Sequence, residues 1–244
     1  MTNVRRVKYS WPVTADARPR SRRDRPAKAP LSEEVIVDAA LAILRAEDLK
    51  AVTMQRVATA LDTGPASLYV YIKGGRDELR QAMYDRVLST VTLEPPSADR
   101  WREQALALLE RVLAAFESHP GIAAISLANP ASTRPALLVA ENLLAIFLAG
   151  GITRQDAALA TDTLLLLTTA RAIETDVWRS QDDRHDDQPD VEQHLHDTYT
   201  SLPAAEFPHF TELAEELIGP DTAARFRFAV DTFLDGLAAR AKRD

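Results

Sequence analysis

The chain has 244 residues, a net charge of −7, 46% hydrophobic residues and no cysteine. That is ordinary for a globular protein of one or two domains, and it excludes a disulfide framework or a thiolate metal site. The longest near-apolar run, residues 157–172, is broken by Thr161, Asp162, Thr163, Thr168, Thr169 and Arg171, so no membrane-spanning helix is expected. Arg5-Arg6 lacks the apolar stretch of an export signal, so no targeting segment and a cytoplasmic location are expected.

Charge is unevenly spread. Residues 1–30 hold nine basic and two acidic residues, a net +7 that leaves −14 on the rest. A basic tail on an acidic body is the asymmetry of a chain whose tail meets a polyanion. Pro12, Pro19, Pro26 and Pro30 interrupt any helix there, so residues 1–30 are expected to form a disordered arm. Arg18, Arg20, Arg22 and Arg23 lie just upstream of the next unit and are its candidate DNA contacts. A tail that only aids solubility is the plainer reading.

Ser32 opens a helix whose apolar residues Val35, Ile36, Ala39, Ala40, Ile43 and Leu44 recur at helical spacing. Asp48-Leu49-Lys50 breaks it. Thr53 caps a second, short helix with Val57, Ala58 and Leu61 inward and Gln55, Arg56 and Thr59 outward. The helix N-terminus at Thr53 offers free N–H groups to a phosphate. Asp62-Thr63-Gly64 marks a turn, Pro65 opens another short helix, and Gly74-Gly75 ends it. Leu68 and Ile72 share one face of this last helix, and Ala66, Ser67, Val70 and Tyr71 share the opposite one. Two short helices joined by a Gly-containing turn outline a helix-turn-helix, whose second helix enters the major groove. The candidate DNA contacts are Thr53, Gln55, Arg56, Ala66, Ser67, Tyr69, Val70, Tyr71, Lys73 and Arg76, with Tyr69 and Lys73 on phosphate.

Residues 76–91 read as a longer helix with Asp77 and Glu78 in its first turn, and Glu94-Pro95-Pro96-Ser97 ends it. The remainder reads as successive helices. Ser97 is expected to cap a run through Phe116 that stops at His119-Pro120; Pro135 opens a helix ended by Gly150-Gly151; Thr153 with Asp156 forms most of a capping box for the longest helix, to about Arg179. Residues 181–190 should be a mobile acidic loop, with short helices at 191–202 and 208–218 and a last amphipathic helix after Pro220. The expected fold is all-α: a basic arm (1–30), a three-helix DNA-binding domain (31–92) and a larger helical domain (97–244).

No nucleophile elbow, phosphate loop, zinc-protease motif or cysteine is present, so no catalysis and no cofactor are expected. His185, His194, His196 and His209 lie among aspartates, but a solvated segment rather than a metal site is the expectation. The leucine run at 164–167 points apolar side chains all round its helix, and pairing with a second copy would cover them. Burial within the chain would cover them equally well; if the chain pairs, Leu164, Leu165, Phe226, Val230, Phe233 and Leu237 are the candidate interface of a homodimer.

T-x-x-x-V-A-x-x-L from Thr53, G-x-x-S-L-Y-x-Y-I from Gly64 and the R-D-E-L that follows resemble the N-terminal domain of the tetracycline-repressor (TetR) family of transcription regulators. A softer resemblance to that family's effector-binding domain runs through Trp101, His119-Pro120, Thr133-Arg134-Pro135, Gly150-Gly151-Ile152 and the closing RFRFAVDTFLDGLAAR. One departure is visible: the family usually takes six steps from the Tyr of the L-Y pair to a Lys, whereas Tyr69 to Arg76 takes seven. The resemblance implies a homodimeric repressor on a palindromic operator, released when a small molecule tilts the helix at 76–91. It implies a pocket among residues 106–116, 135–148 and 157–178, with His119, Asn142, Phe147, Thr168, Arg171 and Trp178 as candidate lining. The alternative is a helical ligand-binding or interaction protein whose helix-turn-helix no longer reads DNA, since residues 53–80 net only +1.

Overall fold

The computed structural model describes residues 30–128, 133–182, 191–219 and 221–241. The basic arm, with Arg18, Arg20, Arg22 and Arg23, and the loop expected before residue 191 lie outside the described residues, except that 181–182 continue a helix. Among the described residues all regular structure is helical. No described helix is long and apolar enough to cross a membrane. From Ser32 on, the described residues form one compact unit.

Local sequence sets the first helices. Ser32 Oγ accepts from Val35 N–H at 3.3 Å and starts α1 (Glu33–Ala46), which buries Ile36, Val37, Ala40, Leu41 and Leu44. Thr53 Oγ1 accepts from Arg56 N–H at 3.2 Å and starts α2 (Met54–Ala60). Such caps satisfy N–H groups that the first helical turn leaves without partners. Asp62 takes a left-handed φ of 48° in the turn to α3 (Pro65–Leu68). Hydrogen-bonded turns extend α3 to the start of α4 (Gly75–Leu88), with Tyr71 and Ile72 N–H both donating to Leu68 O.

α4 packs on α1 at one side and on α5, α6 and α7 at the other. Arg86 pairs with Asp38 of α1 at 3.2 Å, the Tyr84 ring stacks on Phe116 with centroids 5.9 Å apart, and Thr133 Oγ1 donates to Asp85 Oδ1 at 2.7 Å. The linker after α4 is pinned as well. Asn142 Nδ2 donates to Glu94 O at 2.9 Å, Arg111 Nη1 to Glu94 Oε1 at 3.0 Å, and Gln104 Nε2 to Pro95 O at 2.9 Å.

Ser97 does not cap a helix through its hydroxyl. A 3₁₀ turn, Ala98–Arg100, precedes α5 (Trp101–Glu117), and the Ser97 N–H is taken by Gln104 Oε1 at 2.8 Å. The glutamine thus ties the linker backbone to α5, and no side chain caps the start of either helix. The short α6 (Ala123–Ala128) and then α7 (Arg134–Ala149) follow, the latter led by Pro135. α8 (Arg154–Asp182) is the spine of this part, packed on α5, α6, α7 and α12. Thr153 Oγ1 caps it by accepting from Asp156 N–H at 3.2 Å. Asp156 does not complete a capping box, because its buried carboxylate takes Arg240 Nη2 at 2.8 Å. Then come α9 (Val191–Thr200), α10 (Pro208–Glu212) and α11 (Ala214–Ile218), which pack mainly on one another, and α12 (Thr222–Ala241).

Candidate nucleic-acid interface

The surface of α2 and α3 follows from which side chains their core consumes. Val57, Ala58, Leu68 and Ile72 are fully buried, with α2 packed on α1 and α3 on α2, which leaves the opposite face in solvent. On that face Tyr69, Val70 and Tyr71 are 47%, 67% and 40% exposed. Three consecutive large apolar or aromatic side chains in solvent need a function, since each would otherwise favour burial by about 1.5–3 kcal/mol. Ala66, Gln55, Lys73 and Arg76 are also exposed, and Ser67 and Thr53 are half-buried. Every candidate from residues 53–76 is therefore surface-accessible on this one unit.

Arg56 carries a feature the sequence did not announce. Its guanidinium grips Glu47 at the end of α1 in a two-pronged pair, Nη1 to Oε2 at 2.9 Å and Nη2 to Oε1. An exposed pair of this kind adds little stability but fixes where the planar fork points. Arg56 is thus held on the loop between α1 and α2 in the absence of DNA.

The seven-step spacing before Arg76 has a structural reason. Gly75 sits at φ 65°, and a β-carbon there would come within 3.3 Å of the Tyr69 ring, so the added glycine makes the turn and lets Tyr69 lie over it. Glu78 reaches back to accept from Gly74 N–H, so that donor at the start of α4 is already engaged. Between α1 and α4 lies a groove lined by Glu33, Glu34, Glu78, Asp85 and Arg86. Its acidic lining repels a polyanion.

The six candidate effector contacts are largely engaged elsewhere. Thr168 is fully buried, but its hydroxyl donates to Leu164 O at 2.8 Å; His119 Nδ1 lies 3.0 Å from Ala115 O; Arg171 pairs with Glu174 one turn on. Phe147 is buried edge-on against Trp101, with centroids 6.2 Å apart, and Trp178 is exposed. Asn142 differs: its Nδ2 holds Glu94 O, while its Oδ1 is buried without a protein partner. Among the described residues no cluster of His, Asp and Glu could hold a metal ion.

The expected dimer residues fall into two groups. Leu164, Phe226, Val230 and Leu237 lie in the subunit's own core, while Leu165 and Phe233 are half-buried. The large apolar side chains that α8 and α12 leave in solvent are others: Leu159, Leu166, Val177 and Trp178 on α8, and Phe228, 74% exposed, on α12.

Comparison with known proteins agrees with this architecture. The family described as "Tetracyclin repressor-like, C-terminal domain" matches residues 94–241. The chain is 32% identical to apo ActR of Streptomyces coelicolor over 89% of this chain and 99% of that one, with a TM-score of 0.79. ActR in complex with actinorhodin is 34% identical, over 87% and 99% of the two chains, with a TM-score of 0.76. The HTH-type transcriptional repressor DrrR1 of Streptomyces coeruleorubidus is 28% identical over 87% of this chain and 80% of its own. A helix-turn-helix outline with an exposed apolar and aromatic face, an all-α body and these relatives lead to one assignment: the chain belongs to the tetracycline-repressor family of ligand-responsive, DNA-binding transcription regulators.

Proposed function

We propose that the chain acts in the cytoplasm as a homodimeric repressor that binds a palindromic operator through residues 53–76 and leaves it when a small molecule enters the part after residue 97. The observation that carries this reading is the exposed Tyr69-Val70-Tyr71 stretch in the turns after α3, held between the fully buried Leu68 and Ile72. A functional division at residues 92–97 goes with it. Selection of genomic fragments by the purified protein tests it: one enriched palindrome is expected, and no enrichment at moderate salt would favour a helical ligand-binding protein that no longer reads DNA.

Within the face, Ala66 and Val70 offer only apolar contact, suited to a thymine methyl, whereas Tyr69 and Lys73 suit phosphate. Val70→Ala removes two methyl groups and is expected to cost about 1–2 kcal/mol, concentrated at one base position. Tyr69→Phe should weaken all sequences alike. Binding to a panel of single-base operator variants checks both, and the same uniform loss from both proteins would refute the division into reading and positioning residues.

The second copy is proposed to cover the outer face of α8 and α12. On α12, Phe228, Thr232 and Gly236 recur every fourth residue, and nothing in the subunit lies within 4 Å of a β-carbon at Gly236. A helix-interior glycine costs about 0.5–1 kcal/mol relative to alanine, so its presence there calls for something outside the subunit. A two-fold axis passing Thr232 sets two α12 helices antiparallel with each Phe228 over the glycine opposite.

ActR is solved with actinorhodin bound, and a small-molecule effector is proposed here by that likeness. Asn142 is its first candidate contact, because a ligand donor would satisfy the buried Oδ1. Its other end holds the linker at Glu94, so a ligand there is placed to disturb the start of α5 relative to α4.

A further inference from the structure

We propose that Asp176, near the end of α8, is a positioning residue for the helix-turn-helix, acting through the turn at residues 118–122 and Leu49. The role rests on the reading of α2 and α3 as the DNA-binding face. It is distinct from the contacts that run through α4.

α5 ends at Glu117, and the chain turns through Ser118 to Ile122, with Ile122 N–H donating to His119 O at 3.0 Å. Two side chains of α8, three residues apart and so on one face, grip this turn from both ends. Asp176 Oδ2 accepts from Gly121 N–H at 2.6 Å, and Arg179 Nη1 donates to Glu117 O at 3.0 Å. The Asp176 carboxyl is half-buried, its Oδ1 has no protein partner, and burial pushes its pKa up against the opposing Gly121 N–H and Arg179. A carboxylate kept in that setting is committed to the one bond it makes.

The other side of the turn meets the loop between α1 and α2. Gly121 has a φ of 87°, and a β-carbon on it would lie 3.2 Å from Leu49 Cβ and 3.9 Å from Cδ2. Leu49 is half-buried there. Its loop is stiff: Ala51 N–H donates to Asp48 Oδ1 at 2.7 Å, Glu47 holds Arg56 of α2, and Thr53 caps α2. A displacement of Leu49 is therefore passed to α2, on which α3 packs. Movement of α8 against α5 reaches the reading face through three links: Asp176 to Gly121, Gly121 to Leu49, and Glu47 to Arg56.

The full-length protein tests this by amide hydrogen exchange and by binding to the duplex that the wild-type protein enriches. Asp176→Ala is expected to speed exchange at least tenfold both in the 118–122 turn and in the 47–53 loop, and to weaken operator binding about tenfold. Asp176→Asn keeps an oxygen for Gly121 N–H and should restore most of both. Asp176→Ala and Leu49→Ala act on one path, so their effects on affinity should fall short of additive. If Asp176→Ala fails to fold, Arg179→Ala loosens the same turn from an exposed position and takes its place. Loop exchange that stays at the wild-type rate while the turn loosens, or fully additive affinity losses, overturns the proposal. Should the wild-type protein enrich no duplex, the DNA-binding reading fails while hydrogen exchange still decides the path.

Discussion

Phe228→Asp is expected to give a folded subunit that no longer pairs. The side chain is 74% exposed within the subunit, so its replacement should change the subunit's own stability by no more than about 0.5 kcal/mol. In a dimer built on the outer face of α12, the same aspartate is an unpaired buried charge, which costs about 3–5 kcal/mol. Two-fold symmetry places two of them in each interface. The dissociation constant should rise by at least about two to three powers of ten, since each 1.4 kcal/mol is tenfold. Gly236→Leu probes the same pairing from the other side, because nothing in the subunit lies within 4 Å of its added β-carbon. Phe226→Asp, two residues away and 1% exposed, should unfold the subunit instead. Sedimentation over a micromolar range with a thermal melt separates these results. Stable dimers from both Phe228→Asp and Leu166→Asp would place the interface elsewhere.

That prediction names residues the sequence reading passed over, and the reason is phase. Four consecutive leucines step round a helix by about 100° each, so residues 164–167 by themselves do not say which one faces α5 and α7. The fold chooses Leu164 for the core and leaves Leu166 outside. Phe226 and Phe228 are about 200° apart on α12, hence on opposite faces, and either could have been the inner one. The signal was in the longer pattern: Phe226, Val230, Leu234 and Leu237 form an unbroken stripe, which is the core face. Phe228 then falls on the outer face, 74% exposed.

Features decided by neighbouring residues were legible. Ser32, Thr53 and Thr153 cap the helices they precede, Pro65 and Pro135 sit in the first turns of theirs, and the buried pair Leu68 and Ile72 fixes the exposed set opposite. Features decided across the fold were not. The Ser97 hydroxyl makes no cap while Gln104, seven residues on, holds its N–H, and Arg56 turns to Glu47 across a loop. Effector candidates chosen for polarity in apolar helices, such as Thr168 and His119, satisfy themselves on the backbone four residues earlier. A short polar side chain can do so from within its own helix, which is why polarity alone is a poor guide to a pocket.

Gly150→Ala is expected to be the most destabilising single-methyl change in the part after residue 97. Gly150-Gly151 looked like a helix stop, but the two glycines have different tasks. Gly151, at φ 77°, turns the chain, whereas Gly150 makes room for Trp101. A β-carbon at Gly150 would lie 2.3 Å from Trp101 Cγ, 2.6 Å from Cδ1 and 2.8 Å from Cβ. Because Trp101 Cβ is among these atoms, rotating the indole does not clear the clash, and the start of α5 must shift from the end of α7. The indole also meets the buried Phe147 edge-on, so the shift opens the core between the two helices. Overpacking of this kind costs about 1–3 kcal/mol, and more where backbone must move. At about 2–4 °C per kcal/mol for a chain of this size, the melting temperature should fall by roughly 5–12 °C. Trp101→Ala loses its own packing but removes the obstacle, so Gly150→Ala in that background should cost little further, a coupling that a double-mutant cycle measures. A Gly150→Ala protein that melts within 2 °C (roughly the shift for 1 kcal/mol) of wild type would show that α5 and α7 slide past one another freely at this contact.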